Sequence, residues 1–332
     1  MAELPEPISA VEFRRYRGDA DLAGMLAAYN ASHQADGILV LETLEAFTSS
    51  YRHLDNCDPD TDLIVVELGG EIVGYARVTW WVESATGDRI LLHAEFLRPE
   101  GRALGVLAAL CDWGEHRLTE VSVERPHDRP QHLTVYVDEG EAERLALLEG
   151  RGYRRTQTYV EMTRSLHEPI PEARLPAGLE IGPVGSMRAV WEADDRAFRD
   201  HVGHSDPTEE SYRRWLEWPL ADPGLWKVAF DGDAIAGQVL NYVNEEENAL
   251  FGRRRGYTES ISVQREWRGR GVARALIVES MQMFADMGMD EVSLGVHTDN
   301  PTGAFGLYTG LGYEIISTAY EMRRPLDQVV TD

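Results

Sequence analysis

The densest run of chemistry-bearing residues in this 332-residue chain is Arg268-Gly269-Arg270-Gly271-Val272-Ala273-Arg274, preceded by Ile261-Ser262-Val263. Ile261, Ser262 and Val263 alternate like the end of a strand. From Val272 onward, Val272, Leu276, Met283 and Met287 recur at helical spacings, and Gly288 supplies a stop. A strand that turns through glycines into a helix leaves amide N–H groups unpaired at the helix N-terminus, where the helix dipole is positive. Glycine lets an anion approach the backbone closely, and Arg268, Arg270 and Arg274 add charge around it. The chemistry is that of a diphosphate cradle. The same glycine turn also makes an ordinary strand-to-helix connection, and on this stretch alone both readings stand. The nucleotide-hydrolase loop ending in Lys-Ser/Thr and the three-glycine dinucleotide fingerprint are both missing.

The continuation separates the two readings. Val292-Ser293-Leu294-Gly295-Val296 has the character of a second strand. Asp299-Asn300-Pro301 is placed to cap a short helix through Ala304, Leu307 and Tyr308, which Gly310-Leu311-Gly312-Tyr313 ends. Arg268-x-x-Gly271-x-Ala273 resembles the coenzyme A signature of the GCN5-related N-acetyltransferase (GNAT) family. Asn300, Tyr308 and Leu311-Gly312-Tyr313 resemble that family's second signature, in the same order and at a similar separation.

The resemblance implies transfer of an acetyl group from acetyl-CoA, as co-substrate, to a small-molecule amine that attacks the thioester directly. No metal and no covalent enzyme nucleophile are needed. It implies that backbone amides of Gly269, Arg270, Gly271, Val272 and Ala273 bind the diphosphate, with Arg268, Arg270 and Arg274 nearby. The Ile261-Ser262-Val263 strand would pair with the pantetheine arm and polarise the thioester carbonyl. Asn300 would help fix the arm, or cap the helix, or both. Tyr308 matches the general acid that protonates the departing thiolate, against the alternative of a core tyrosine. For the base, Glu259 is the best placed: simple alternation sets Glu259, Ile261 and Val263 on one face of the strand. The alternative is a solvated strand-end glutamate. Glu245-Glu246-Glu247 is expected to be a solvated loop. His201-Val202-Gly203-His204 has metal-like spacing but no third ligand near it in sequence.

The elements that would carry these residues occur twice. Residues 62–74 mirror 225–237, each reading as strand, tight turn and strand, with Gly69-Gly70 and Asp231-Gly232-Asp233 at the turns. Residues 97–107 lie in the place of 263–273, 148–153 in that of 308–313, and 161–166 in that of 321–326. Each half opens on a short strand, near Val11 and Leu179, followed by a helix, near 19–34 and 186–199. The expected fold is α/β, with two tandem GNAT-like domains, each a splayed mixed sheet flanked by helices. The expected boundaries are 1–166 for an N-terminal domain with a degenerate cofactor motif, 167–178 for a proline-rich linker, and 179–332 for the catalytic domain. In the first copy Ala103 and Leu107 replace Gly269 and Ala273, Leu148 replaces Tyr308, and Gly140 stands where Asn300 stands. That copy is expected to shape the protein or its substrate, with a weakened coenzyme site as the alternative.

Net charge is −25, from 32 Lys+Arg against 57 Asp+Glu. Such a surface repels nucleic acid and anionic membranes; its plain reading is solubility or a general acidic bias, and the alternative is attraction of a cationic amine. No apolar run approaches the roughly 18 residues that span a membrane. Cys57 and Cys111 are too few for a disulfide framework. The first residues carry no basic segment followed by an apolar core, so a cytoplasmic monomer or homodimer is expected. The tandem layout and Thr298-Asp299-Asn300-Pro301 are also similar to the mycothiol synthases, which acetylate a cysteinyl amine. An acyl-CoA-binding sensor without turnover is the alternative of another class.

Overall fold

In the computed structural model, residues 2–102, 105–201, 203–299 and 303–326 are described. In chain order the strands are β1 Val11–Arg15, β2 Leu63–Leu68, β3 Glu71–Val82, β4 Arg89–Leu97, β5 Gln131–Asp138, β6 Arg154–Ser165, β7 Glu180–Gly182, β8 Lys227–Asp231, β9 Ala234–Tyr242, β10 Arg255–Val263, β11 Glu291–His297 and β12 Glu314–Pro325. The two glycine-rich turns make the hairpins expected of them. Gly69 and Gly70, both at positive φ, join β2 to β3, and Gly232 turns β8 into β9.

The chain forms two compact units, dividing at Thr158/Tyr159 and at Thr318/Ala319. The first unit pairs β1-β2-β3-β4-β5 and then the β12 residues from Ala319 on, which run antiparallel to β5. The second pairs β7-β8-β9-β10-β11 and then the β6 residues from Tyr159 on, antiparallel to β11. The last strands of the two sequence repeats are therefore exchanged. This differs from the contiguous division into 1–166 and 179–332. The physical reason lies in the strands themselves: Glu161-Met162-Thr163-Arg164 and Glu321-Met322-Arg323-Arg324 carry the same alternation, so either suits either slot. Residues 168–178 carry no helix or strand.

In the second unit the sheet is covered on both faces, and β9 is correspondingly almost continuously buried. One face is packed by the helix Val272–Asp286 through Val272, Leu276, Met281 and Phe284, which join Val292, Leu294, Tyr308 and Tyr313 in one core. Gly256 makes this close packing possible, since a Cβ there would sit 2.5 Å from the Phe284 ring. Met287 falls outside the buried stripe and is exposed, because the helix ends before it. The end is a Schellman turn on Gly288, with Met289 N–H bonded to Phe284 O at 2.9 Å and Gly288 N–H to Ala285 O at 3.0 Å. The other face is packed by the helix Met187–Phe198, capped by Ser186, through Val190 and Ala193 against Val228, Ile235 and Leu240. The expected acidic loop is instead a helix, Glu245–Phe251, capped by Asn244; Glu247 is buried and bonds Tyr257 and Arg253.

Candidate active site

Three local features of the second unit build the site. The first is the turn before the helix Val272–Asp286. Gly269 and Gly271 both adopt positive φ, 72° and 86°, a conformation that glycine takes without the Cβ penalty. An added Cβ at either would find open space, so the concavity in front of the turn is free. The first helix-terminal amide bonded to a carbonyl is Ala275 N–H, 3.0 Å from Gly271 O; among the described residues those of Gly269, Arg270, Gly271, Val272, Ala273 and Arg274 meet none. This is the geometry of an anion nest at a helix N-terminus. Arg270 lies over the Trp267 ring, and Arg274 has no side-chain partner among the described residues. Arg268 is differently employed. Its Nε donates to Val263 O at 3.1 Å and its Nη2 to Ala197 O at 2.6 Å, tying β10 to the helix Met187–Phe198. The guanidinium expected to face the anion is a strut that holds the turn. Arg102 does the same in the first unit, donating to Leu97 O and Ser32 O, each at 3.1 Å.

The second feature is a gap in the sheet. β10 and β11 run parallel and pair at Arg255–Glu291, Gly256–Val292 and Tyr257–Ser293. Beyond Tyr257 no further pairing is present, although β10 continues to Val263 and β11 to His297. The strands splay, and the edge amides of β10 turn towards an opening in the middle of the sheet.

The third feature is a β-bulge. β10 pairs Glu259 with Leu240 and then Ser262 with Gln238, one residue out of step, and Ser260 takes φ 45°. The extra residue reverses the alternation. Glu259 and Ser262 share the face covered by the helix Met187–Phe198, while Ile261 and Val263 pack into the core on the other face. The expected common face of Glu259, Ile261 and Val263 is thus corrected, and the consequence is chemical. Tyr308 approaches the gap from the face of the helix Val272–Asp286, and Glu259 from the opposite face.

Tyr308 sits in the helix Ala304–Thr309, whose N-cap is Gly303; Asn300, expected to cap it, lies outside the described residues with Pro301. The helix ends on Gly312 at φ 87°, with Tyr313 N–H on Tyr308 O at 3.1 Å. The sequence Leu-Gly-Tyr is therefore a Schellman cap whose tyrosine packs back on the helix, its ring 6.1 Å from that of Tyr308. Burial, with Tyr313 and Glu259 nearby, pushes the Tyr308 phenol above its ordinary value, so it holds its proton at neutral pH. Its hydroxyl has no hydrogen-bond partner among the described residues. Glu259, half-buried, has no donor among the described residues; burial, and then the Glu161 carboxylate, push it up to about 7.

Two further acidic residues escaped sequence reasoning. Asp194, on the helix Met187–Phe198, accepts from Gln238 Nε2 at 3.1 Å and is also pushed by burial to about 7. Ser262 Oγ lies beside it without forming a well-aligned bond. Glu161, on β6, accepts from Arg255 Nη1 at 2.9 Å and Ser293 Oγ at 2.8 Å. Nothing local in the sequence marks either one, since only the helix packing and the strand exchange bring them to this place.

The first unit repeats the frame without the chemistry. β4 and β5 pair from Arg89 to Leu92 and then part, and Gly105 keeps the positive φ of Gly271. Gly74 faces Leu97 as Gly237 faces Val263, which sets Ala94 in the place of Glu259 and the buried Leu148 in that of Tyr308. Ala103 and Leu104 lie outside the described residues. A Cβ on Gly140 would fall 2.4 Å from Asp36 O, so the helix Asp19–Ala35 closes the end of the gap and leaves a cavity of about 200 Å³ beneath Tyr29, Phe96 and Tyr136. His93, Glu95 and Cys111 set donor atoms within 4.8 Å of one another, as a metal site would. However, His93 is bonded at both ring nitrogens, to Glu95 at 2.5 Å and Tyr153 at 2.6 Å, and Arg144 already lies 3.0 Å from Glu95. Burial alone would raise Glu95; His93 and Arg144 outweigh it and hold the carboxyl at about 2. This is a closed polar network with its cation already in place. Of the two histidines with metal-like spacing, His204 bonds Asp195 at 2.8 Å and His201 packs on Phe198 and His297.

Comparison with known proteins follows the same lines. Residues 187–313 match the model of the acetyltransferase (GNAT) family. The chain is 29% identical to the mycothiol acetyltransferase of Geodermatophilus obscurus, over 89% of this chain and 91% of that one. It is 27% identical to that of Thermobispora bispora, over 91% and 95%. Among solved structures, a GCN5-related N-acetyltransferase from Sphaerobacter thermophilus superposes with a TM-score of 0.68 at 25% identity, covering 97% of both chains. A tandem GNAT protein from the clavulanic acid biosynthesis pathway shares the fold with a TM-score of 0.65 at 16% identity. With an anion nest, a splayed parallel pair and a fold held in common with these tandem proteins, residues 187–313 form a domain of the acetyltransferase (GNAT) family, whose members transfer acetyl to an amine.

Proposed function

We propose that the unit spanning residues 159–318 transfers acetyl from acetyl-CoA to the primary amine of a small molecule by direct attack. The observation that carries this reading is the placement of Tyr308 and Glu259 on opposite faces of the gap between β10 and β11. A thioester threaded through that gap has its sulfur towards the phenol and its carbonyl carbon open to an amine from the carboxylate side. The amides of Gly269, Arg270, Gly271, Val272 and Ala273 hold the diphosphate, with charge from Arg270 and Arg274 and with Arg268 fixing the turn. The unpaired edge of Ile261, Ser262 and Val263 receives the pantetheine amides, and one N–H polarises the carbonyl. Asn300 steadies the arm. Glu259 takes the proton of the incoming ammonium, and Tyr308 supplies one to the departing thiolate. No protein nucleophile intervenes: burial pushes the Cys57 thiol up to about 12 and that of Cys111 higher still, so neither offers a thiolate.

The first unit, with Ala94 and Leu148 at the two reacting positions, takes no part in proton transfer. For the acceptor, similarity to mycothiol acetyltransferases along about nine-tenths of the chain favours a cysteinyl amine. A cytoplasmic site of action belongs to the same proposal, in keeping with two unpaired cysteines.

The pH profile tests the base. Glu259 accepts a proton only when ionised, so kcat/KM for the amine should climb about tenfold per pH unit below its pKa and level off above about 7. Glu259→Gln should lower kcat by about 10²-fold and remove that limb. An unchanged rate and limb in the variant would assign the proton to another group.

A further inference from the structure

We propose that Glu161 positions the acceptor in the second unit: its carboxylate and that of Glu259 flank Gly295, and the ammonium of the acceptor is held between them. The inference rests on the reading of Glu259 as the base and deepens it. Across the sheet, β6, β11 and β10 are consecutive strands of this unit. Glu161 pairs with Gly295, two residues beyond Ser293; Glu259 lies two residues beyond Tyr257, the partner of Ser293. Glu161, Gly295 and Glu259 therefore stand level on three neighbouring strands. They share a face. Arg255 and Ser293, which both donate to Glu161 Oε1, alternate with Tyr257 and Gly295 in step with Glu259, upstream of the bulge.

The middle position is empty by construction. Gly295 is exposed, and a Cβ added to it would meet nothing within 4 Å. Two strand spacings separate the glutamate backbones, about 10 Å and more where β10 splays away. Two glutamate side chains reaching inward leave room for one ammonium. Glu161 has one oxygen to give it: Oε1 takes the two protein donors, and among the described residues Oε2 has none. The site is a two-carboxylate slot with no cation of its own on the Glu259 side, since Arg255 is spent on Glu161 and, through Nε at 2.7 Å, on Glu291. The unit needs a strand from the first sequence repeat to complete the slot, which gives the strand exchange a chemical consequence.

Other ionisable groups around Glu259 are the phenols of Tyr242 on β9 and Tyr308 on the helix Ala304–Thr309, both pushed up by burial and neutral through the working range. His297 lies two residues along β11 from Gly295, its ring against Tyr159 and His201. The carboxylate facing Glu259 is Glu161.

The test is Glu161→Gln in the full chain, assayed by thiol release with S-methylcysteine amide, which has no thiol of its own, as the probe amine and by calorimetry for acetyl-CoA. The expected result is a rise of about tenfold or more in amine KM, with kcat changed less than about threefold. The acid limb of kcat/KM should move down by about one pH unit as the like charge disappears, and acetyl-CoA affinity should stay as it was. Unchanged amine KM and an unmoved limb, with turnover still lost in Glu259→Gln, would overturn the role of Glu161 and leave the base intact. Normal turnover in Glu259→Gln would remove the base and the slot together. Gly295→Val is the second variant, because it fills the slot without touching any ion pair. It should raise amine KM in the same way, and an amine KM equal to that of the unmodified chain would count against the slot.

Discussion

Replacing Tyr308 by phenylalanine should lower kcat by about 10²- to 10³-fold while leaving the affinity for acetyl-CoA within about twofold. The range is what a positioned proton donor contributes to a transition state in which charge builds on the leaving atom. The phenyl ring keeps the apolar contacts with Tyr313 and the helix Val272–Asp286, so the core around it is preserved. The hydroxyl has no hydrogen-bond partner among the described residues, so its loss strands none of them. A drop in kcat therefore reports the departing thiolate rather than damage to the fold. Rapid-quench measurement of a single turnover would separate the chemical step from product release. A variant with unchanged single-turnover rate would return Tyr308 to the role of a core tyrosine.

The second large effect belongs to the cradle. Gly271→Glu should raise the Kd for acetyl-CoA by at least about 100-fold, as read by calorimetry, from one site per chain in the unmodified protein. Two causes act together. A side chain at φ 86° costs about 1–2 kcal/mol in the loop that presents the amides. The open space in front of the turn, free of neighbours within 4 Å, becomes occupied by a carboxylate where the diphosphate should lie. Gly271→Ala separates the two, since it carries the strain without the charge, and its Kd should rise by about tenfold or less. Retained tight binding in Gly271→Glu, or a second site of equal strength, would move the cofactor to the first unit.

Much of this was legible in the sequence because it is locally encoded. Glycines at 269 and 271 demand positive φ, a strand must precede them and a helical period follows, so the nest could be named from seven residues. The Gly-Tyr ends of both copies, Gly152-Tyr153 and Gly312-Tyr313, were legible for the same reason, being Schellman caps that fix their own geometry. Fold class followed from the resemblance of the second copy to the GNAT family, and the tandem layout from finding the pattern twice. What was hidden depends on residues far apart in sequence. A single extra residue at Ser260 sends Ile261 and Val263 to the face opposite Glu259, and period-two counting cannot register it. The exchange of β6 and β12 is invisible because the two strands read alike, and with it went the placement of Glu161. Arg268 looked like an anion ligand from its charge, and only the positions of two carbonyls show it holding the loop. Glu247 read as one of three solvated acids, yet its turn of helix buries it against Tyr257 and Arg253.

The central claim is direct transfer from thioester to amine within one ternary complex. Initial velocities measured while acetyl-CoA and the amine are varied against each other test it most directly. Direct transfer gives intersecting double-reciprocal lines and no acetylated protein when the enzyme is mixed with acetyl-CoA alone. Parallel lines, with acetyl carried on Cys57, Cys111 or any other side chain, would contradict it.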